Sequence, residues 1–186
     1  MEKIVAAPTA GSCGILPAAI LSMMHIKKIS KQKAAMGLLA AGAVGLVIAD
    51  KLEIAGASGG CQAECGVASA MAAAALIEMS DGDPESIPYA VSTALSNQMG
   101  LVCDPVAGLV EIPCIKRNAG GIAIAISAAE MSLAGIKHLI PSSEVINAMA
   151  EVGNKMSSDY KETACGGLAA TPTAINITRS LNKCTK

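Results

Sequence analysis

Apolar residues recur along the chain with the spacing of helices, in segments separated by short stretches that contain glycine or proline. No long period-two run of β-branched residues is present, so we expect no sheet. Ser30 and Asp83-Pro84 mark helix starts. The predicted helices span 17–27, 32–51, 63–79, 85–98, 120–134, 143–157 and 172–182. The pattern predicts an all-α fold, a compact multi-helix domain over 1–186 in which 172–186 can form a flexible tail.

The longest apolar run is "AMGLLAAGAVGLVIA", from Ala35 to Ala49, closed by Lys33 and Asp50. It is shorter than the roughly 20 residues that a membrane-spanning helix needs, and its glycines and alanines contribute little to insertion. We therefore expect a buried core helix and no membrane contact. The first residues, "MEKIVAAPTAGSCG", do not have the apolar segment of a signal peptide, so we expect a cytoplasmic protein.

The composition narrows the function further. The 186 residues carry a net charge of −1, only 16% are charged, and there is no Trp or Phe. No basic stripe with interleaved aromatic residues is present, which argues against a nucleic-acid partner. A core of alanine and glycine buries little area per residue, so we expect stability to come also from a cofactor or from a partner in an oligomer.

Glycine-rich segments interrupt the helical pattern at 8–14, 56–60, 118–121 and 165–167. Such loops let backbone N–H groups approach a ligand closely, although they are also the ordinary way to make a short loop.

Seven cysteines, an odd number, are poor disulfide candidates in a reducing compartment. Cys61, Cys103 and Cys114 stand singly in segments rich in glycine or proline, which suits an iron–sulfur cluster better than the close cysteine pairs of zinc sites. Buried structural cysteine is the alternative. The spacing alone leaves both interpretations open.

Four motifs carry a family resemblance: "IVAAPTAGSCGILPA", "ASGGCQAECG", "CDPVAGLVEIPCIKRN" and "ETACGGLAATPT". Together, over about 3–173, they resemble the alpha subunit of the iron–sulfur-dependent L-serine dehydratases, which convert L-serine to pyruvate and ammonia. The resemblance implies a [4Fe–4S] cluster held by Cys61, Cys103 and Cys114, and a beta subunit or domain that completes the enzyme.

The chain departs from the family pattern in two respects. Alpha subunits usually carry a further helical segment before the first motif, so this chain resembles their carboxyl-terminal part. Cys13 and Cys65 stand where the family has small apolar residues, and Cys65 is close enough to Cys61 to compete as a ligand. Roles for Cys165 and for the tail cysteine, Cys184, remain open: the latter is either an inert thiol or a group that reaches the cluster.

Three thiolates for four irons leave one iron open to act as a Lewis acid on serine. Candidates for substrate binding are Thr9, Gly11, Ser12, Arg117 and Asn118. The first three offer hydroxyl and N–H groups to a carboxylate, or are an ordinary helix cap. The last two could hold the carboxylate or donate to cluster sulfides, although a solvated loop arginine is an equally plain interpretation.

The sequence does not single out a general base. His25 and His138 both lie near predicted helix ends, and Glu64 fits a first-turn helix acid. We expect the base to come from the beta part, or to be an unassigned lysine or hydroxyl. Two alternatives stay open: a related cluster lyase that acts on another β-substituted amino acid, and a non-catalytic iron–sulfur or zinc module.

Overall fold

The computed structural model describes residues 5–184, with the side chains of 183 and 184 left out of the description. Eight α-helices are α1 Ile15–Ile26, α2 Lys31–Ala49, α3 Gly56–Gly59, α4 Val67–Met79, α5 Ile87–Ser96, α6 Cys114–Leu133, α7 Ser142–Lys155 and α8 Pro172–Cys184. A π-helix spans Gln62–Gly66, and short 3₁₀ turns span Pro84–Ser86, Val106–Gly108, Ser158–Tyr160 and Gly167–Ala170. Over residues 5–184 the only extended pairing is an isolated bridge between Cys103 and Lys161, so the all-α prediction is confirmed.

The helix α4 forms the centre of the fold. Its sequence, "VASAMAAAALIEM", is apolar on every side, and all of its residues except Glu78 are buried. A helix that is apolar all round must be enclosed by other elements. Helices α1, α2, α5 and α6 all pack against it.

Glycines allow α2 to lie close to α4. A Cβ at Gly37 would be 2.8 Å from Cγ of Met79, and one at Gly45 would be 3.0 Å from Sδ of Met71. Only one face of α2 is buried, through Ala34, Gly37, Ala41 and Ile48. The prediction of a buried core helix therefore holds for that face alone, because Leu39 and Leu46 on the outer side are 67% and 76% exposed.

By length and apolar composition α2 would also be able to cross a bilayer, a property that core helices of soluble proteins share. In the most apolar 18-residue stretch of α2, 22% of the residues are buried, and they lie against α4 and its neighbours.

The start of α6 differs most from the sequence prediction. The helix begins at Cys114 and not at residue 120, so the "NAGG" segment, expected as a loop, lies inside it. Gly121 is used for packing, since a Cβ there would be 2.5 Å from Cδ1 of Ile15 and 2.9 Å from the hydroxyl of Ser69. Arg117 and Asn118 are therefore held on a helix and do not belong to a loop.

Residues 172–184 form a helix, α8, where the sequence allowed a flexible tail. The predicted alternatives for the thiol of Cys184 concern a side chain outside the described part of the chain.

Candidate functional site

A π-helix carries the centre of the site. Gln62–Gly66 continues directly into α4, and all five of its residues are buried. The side chain of Gln62 fixes it, because its Nε2 donates to the carbonyl of Met149 (3.0 Å) and its Oε1 accepts from the N–H of Gly100 (2.8 Å). A π-helix is a rare element that is frequently found at functional sites.

The three cysteines of the predicted cluster come from different elements. Cys61 precedes the π-helix, and Cys114 is the first residue of α6. Cys103 lies in a loop whose backbone is paired with the segment after α7: its N–H donates to Tyr160 and its carbonyl accepts from Glu162, both at 2.8 Å. All three are buried, with exposed fractions of 3%, 4% and 8% in chain order. The prediction that loops carry these cysteines holds for Cys103, whereas the other two stand at helix starts.

The three thiols are electrostatic neighbours. Burial raises the pKa of Cys103 and of Cys114, and in both the next cause is the negative charge of Cys61. Among the described residues, no group of three His, Cys, Asp or Glu side chains could hold a single metal ion. Thiolates that bind different irons of one cluster do not need to meet at one ion, and thiolate is the donor that such clusters use. Three buried cysteines are a donor set that an iron–sulfur cluster can use.

Cys65 pairs with Cys61 through a sulfur–sulfur hydrogen bond of 3.4 Å. This bond lowers the pKa of Cys61 against the effect of burial, and the charge of Arg117 lowers it further. The same bond raises the pKa of Cys65. These opposite pKa shifts correspond to the arrangement in which Cys65 donates and Cys61 carries the negative charge.

Arg117 is half-buried and is paired within the protein. Its Nη1 is 2.8 Å from Oδ1 of Asp104 and also donates to the carbonyl of Val102 at 2.8 Å. Burial opposes its charge, but Asp104 and Cys61 keep the pKa of Arg117 above its ordinary value. The guanidinium thus connects the first turn of α6 to the Cys103 loop.

Asp104 also binds the "CGG" segment. Its Oδ2 accepts from the N–H of Leu168 at 2.7 Å. Gly167 beside it has φ +59°, and a Cβ there would collide with the carboxylate. Only glycine combines this backbone conformation with so close an approach to the acid. The glycine of this motif therefore closes the loop over Asp104.

Asn118 fastens the amino-terminal loop to α6. Its Nδ2 donates to the carbonyls of Gly11 (2.7 Å) and Cys114 (2.8 Å), and its Oδ1 accepts from the N–H of Gly14 (2.9 Å). In the same loop the hydroxyls of Thr9 and Ser12 are 3.0 Å apart. The predicted substrate-binding residues Thr9, Gly11, Ser12 and Asn118 are thus brought into one cluster.

Glu64 belongs to this site, where the sequence favoured only a helix-terminal acid. The side chain lies against the amino-terminal loop, since a Cβ at Gly11 would be 2.9 Å from its Oε2 and one at Gly56 only 2.8 Å. Burial raises the pKa of Glu64, while hydrogen bonds from the Thr9 hydroxyl and the Gly56 backbone oppose the shift. Its charge also raises the pKa of all three cluster cysteines. The available signal was a carboxylate within the apolar, cysteine-containing stretch "GGCQAECG".

The remaining candidates lie apart from this network. His138 bonds to Ser96 and to the carbonyl of Ile140, and His25 is exposed at the end of α1. Cys13 is half-buried and Cys165 is exposed.

Comparison with known proteins decides the family. Residues 1–169 match the family model described as serine dehydratase alpha chain. The chain belongs to the serine dehydratase alpha chain family. This alpha-type chain is 49% identical over 181 residues to the probable L-serine dehydratase, alpha chain, of Bacillus subtilis (strain 168), and 49% identical over 183 residues to the L-serine dehydratase, alpha chain, of Peptoniphilus asaccharolyticus. It is 43% identical over 169 residues to L-serine dehydratase 1 of Escherichia coli (strain K12).

The matches cover 97%, 98% and 90% of this alpha-type chain, in the same order, but 60%, 63% and 37% of the relatives. The chain therefore spans less than two thirds of the length of each of these three proteins.

Proposed function

We propose that this chain is the cluster-carrying part of an L-serine dehydratase, which converts L-serine to pyruvate and ammonia. One observation carries the proposal: three buried thiols from separate elements share one electrostatic neighbourhood with the carboxylate of Glu64. The names of the relatives supply the substrate. A related lyase for another β-substituted amino acid would need the same chemistry, so the substrate is part of the test.

The cofactor in this proposal is a [4Fe–4S] cluster held by Cys61, Cys103 and Cys114. When bound, such a cluster with an iron free of protein ligands supplies Lewis acidity to the departing hydroxyl of the substrate. The reaction removes the Cα proton and the β-hydroxyl as water. The enamine that remains becomes an imine, and water converts this to pyruvate and ammonia.

The chain's own residues position the loops around the site. Asn118 keeps the loop of Thr9, Gly11 and Ser12 against α6, which leaves hydroxyl and N–H groups to meet the substrate. Arg117 does not bind the substrate in this proposal, because its guanidinium is already bound to Asp104. It positions the Cys103 loop. Arg117 and Asn118 are thus positioning residues in this proposal, and the binding groups are those of the amino-terminal loop.

The general base is supplied by a partner in this proposal. The relatives from Bacillus and Peptoniphilus are named alpha chains, and a chain with that name implies a beta counterpart. The beta subunit or domain would complete the active site within an oligomer. Small polar substrates and an oxygen-sensitive cluster are consistent with the cytoplasm.

The test is the reaction itself. The chain is assembled without oxygen with its beta counterpart and given L-serine, L-threonine, L-cysteine and D-serine as separate substrates. The 2-oxo acid product is measured, which is 2-oxobutanoate from L-threonine and pyruvate from the other three. We expect the highest kcat/KM for L-serine and no formation of pyruvate after Cys103→Ser. A preference for another of these amino acids would change the substrate assigned to the enzyme. Activity that survives Cys103→Ser would refute the proposed chemistry.

A further inference from the structure

Glu64 presents an unusual electrostatic problem. Glu64 is only 9% exposed, and its carboxylate lies against Gly11 and Gly56. Hydrogen bonds alone do not neutralise a buried charge, and buried carboxylates are normally paired with a cation.

The described part of the chain does not supply that cation. The ion pairs between its side chains join Lys33 to Asp81, Lys51 to Asp50, Arg117 to Asp104 and Lys155 to Glu151, and none of them includes Glu64. Arg117, the basic residue beside the thiols, is taken by Asp104.

A neighbouring carboxylate increases the negative charge around Glu64. A second carboxylate, that of Glu162, lies near enough to act on Glu64 with the same sign. Among the described residues Glu64 therefore has no cationic partner, and it adjoins the loop that carries Thr9 and Ser12.

We propose that the carboxylate of Glu64 binds the α-ammonium group of the amino-acid substrate. The inference rests on the proposed function and adds the recognition group that selects an amino acid over a hydroxy acid. Gly11 and Gly56 let the carboxylate lie close to their backbones, since a Cβ would be 2.9 Å from Oε2 at Gly11 and 2.8 Å at Gly56. The ammonium supplies the missing charge.

Two ligands, one with and one without the ammonium group, separate ammonium binding by Glu64 from the binding of the carboxylate and the hydroxyl. L-Alanine keeps the ammonium and carboxylate of serine but does not have the hydroxyl, so it binds without reacting. 3-Hydroxypropanoate keeps the carboxylate and hydroxyl but does not have the ammonium. Inhibition constants of both are measured on the cluster-loaded enzyme assembled with its beta counterpart, together with iron and sulfide content.

Glu64→Gln removes the charge while keeping the shape. We expect the inhibition constant of L-alanine to rise about 10- to 100-fold, the usual value of a hydrogen bond to a charged group, with that of 3-hydroxypropanoate nearly unchanged. Glu64→Asp should recover part of the L-alanine affinity. Glu151→Gln, which changes an exposed acid in α7, serves as the matched control and should alter neither constant.

A second variant keeps the charge. Gly11→Ala places a methyl group 2.9 Å from Oε2 of Glu64 and should displace the carboxylate. Because the loop of Gly11 also meets the substrate, both ligands should bind more weakly, with the larger loss for L-alanine. Equal losses for both ligands, or no loss for either, in an enzyme that makes pyruvate from L-serine would refute the ammonium role alone. An enzyme with no pyruvate formation would refute the proposed function and this inference with it.

Discussion

Asp104 shows how much of the site depends on one side chain. It is 2% exposed, pairs with Arg117 and accepts from the backbone of Leu168, so it joins the Cys103 loop, α6 and the "CGG" segment. Removing one partner of a buried ion pair leaves the other charge without compensation.

We therefore expect Asp104→Ala to lower the free energy of unfolding by about 3–5 kcal/mol, the range for breaking a buried pair. The matched control is Asp50→Ala, which breaks an exposed pair with Lys51 and should cost at most about 1 kcal/mol. Urea unfolding of the two variants under the same conditions gives the comparison. Equal losses would contradict the structural role of Asp104.

Glu64 makes a pH-dependent prediction. Burial raises its pKa in the folded chain, so the neutral form is the one that folding favours. The stability that this group contributes is complete below the ordinary glutamate pKa of about 4.3 and is lost as the pH rises through the folded-state value. Glu64→Gln, which cannot ionise, should therefore stabilise the cluster-free chain at pH 7 and not at pH 4. Denaturant unfolding at both pH values measures this, and a gain of the same size at pH 4 would exclude ionisation as its cause.

Some residues of the site could be selected from the sequence and others could not. The context and spacing of Cys61, Cys103 and Cys114 left a cluster role and a structural role open, and the family motifs around them favoured the cluster. Glu64 could not be selected, since the burial of an acid depends on the loop of Gly11, more than fifty positions away in the chain. Arg117 was among the substrate-binding candidates, but its ion pair could not be predicted, because its partner Asp104 lies in a separate loop.

At the level of elements, the contact between α2 and α4 depends on glycine. Gly37→Ala would place its Cβ 2.8 Å from Cγ of Met79 and 3.3 Å from the carbonyl of Ala75, whereas Gly42 in the same helix has open space around it. We expect Gly37→Ala to destabilise the chain by about 1–3 kcal/mol through overpacking. Gly42→Ala should stabilise it by up to about 1 kcal/mol through helix propensity. Thermal unfolding of both variants tests the contact, and a stabilised Gly37→Ala would contradict it.

Helix positions were largely predictable, because the apolar spacing that defines α1, α2, α5 and α7 is local information. The start of α6 was not, since glycines within "NAGG" suggest a loop until Ile15 is seen to occupy the space beside Gly121. The π-helix was hidden for a similar reason: Gln62 holds it through bonds to Met149 and Gly100, which are distant in sequence.

At the scale of the whole molecule, the chain presents many apolar side chains to solvent. Leu46, Leu139 and Val5 are each more than 70% exposed. Small cores of alanine and glycine contribute little burial per residue, so an additional covering surface would stabilise the fold. This is consistent with a chain that works as one part of a larger assembly.

We therefore expect the purified, cluster-loaded chain to form no pyruvate from L-serine by itself, and to gain activity when the beta counterpart is added. The physical reason is that Glu64 is used to hold the ammonium in our account, which leaves proton removal to another group. A continuous pyruvate assay with and without the counterpart measures the difference. Full activity of the chain alone would show that the base lies within these 186 residues.

The central claim is that Cys61, Cys103 and Cys114 together hold one iron–sulfur cluster. The most direct measurement is the iron and sulfide content, with the absorbance spectrum, of the chain reconstituted without oxygen, beside Cys61→Ser, Cys103→Ser, Cys114→Ser and the exposed control Cys165→Ser. The account predicts about four irons and four sulfides per chain in the parent and in Cys165→Ser, and a large loss in each of the other three. Zinc without sulfide in the parent, or full cluster content after any of the three ligand substitutions, would contradict it.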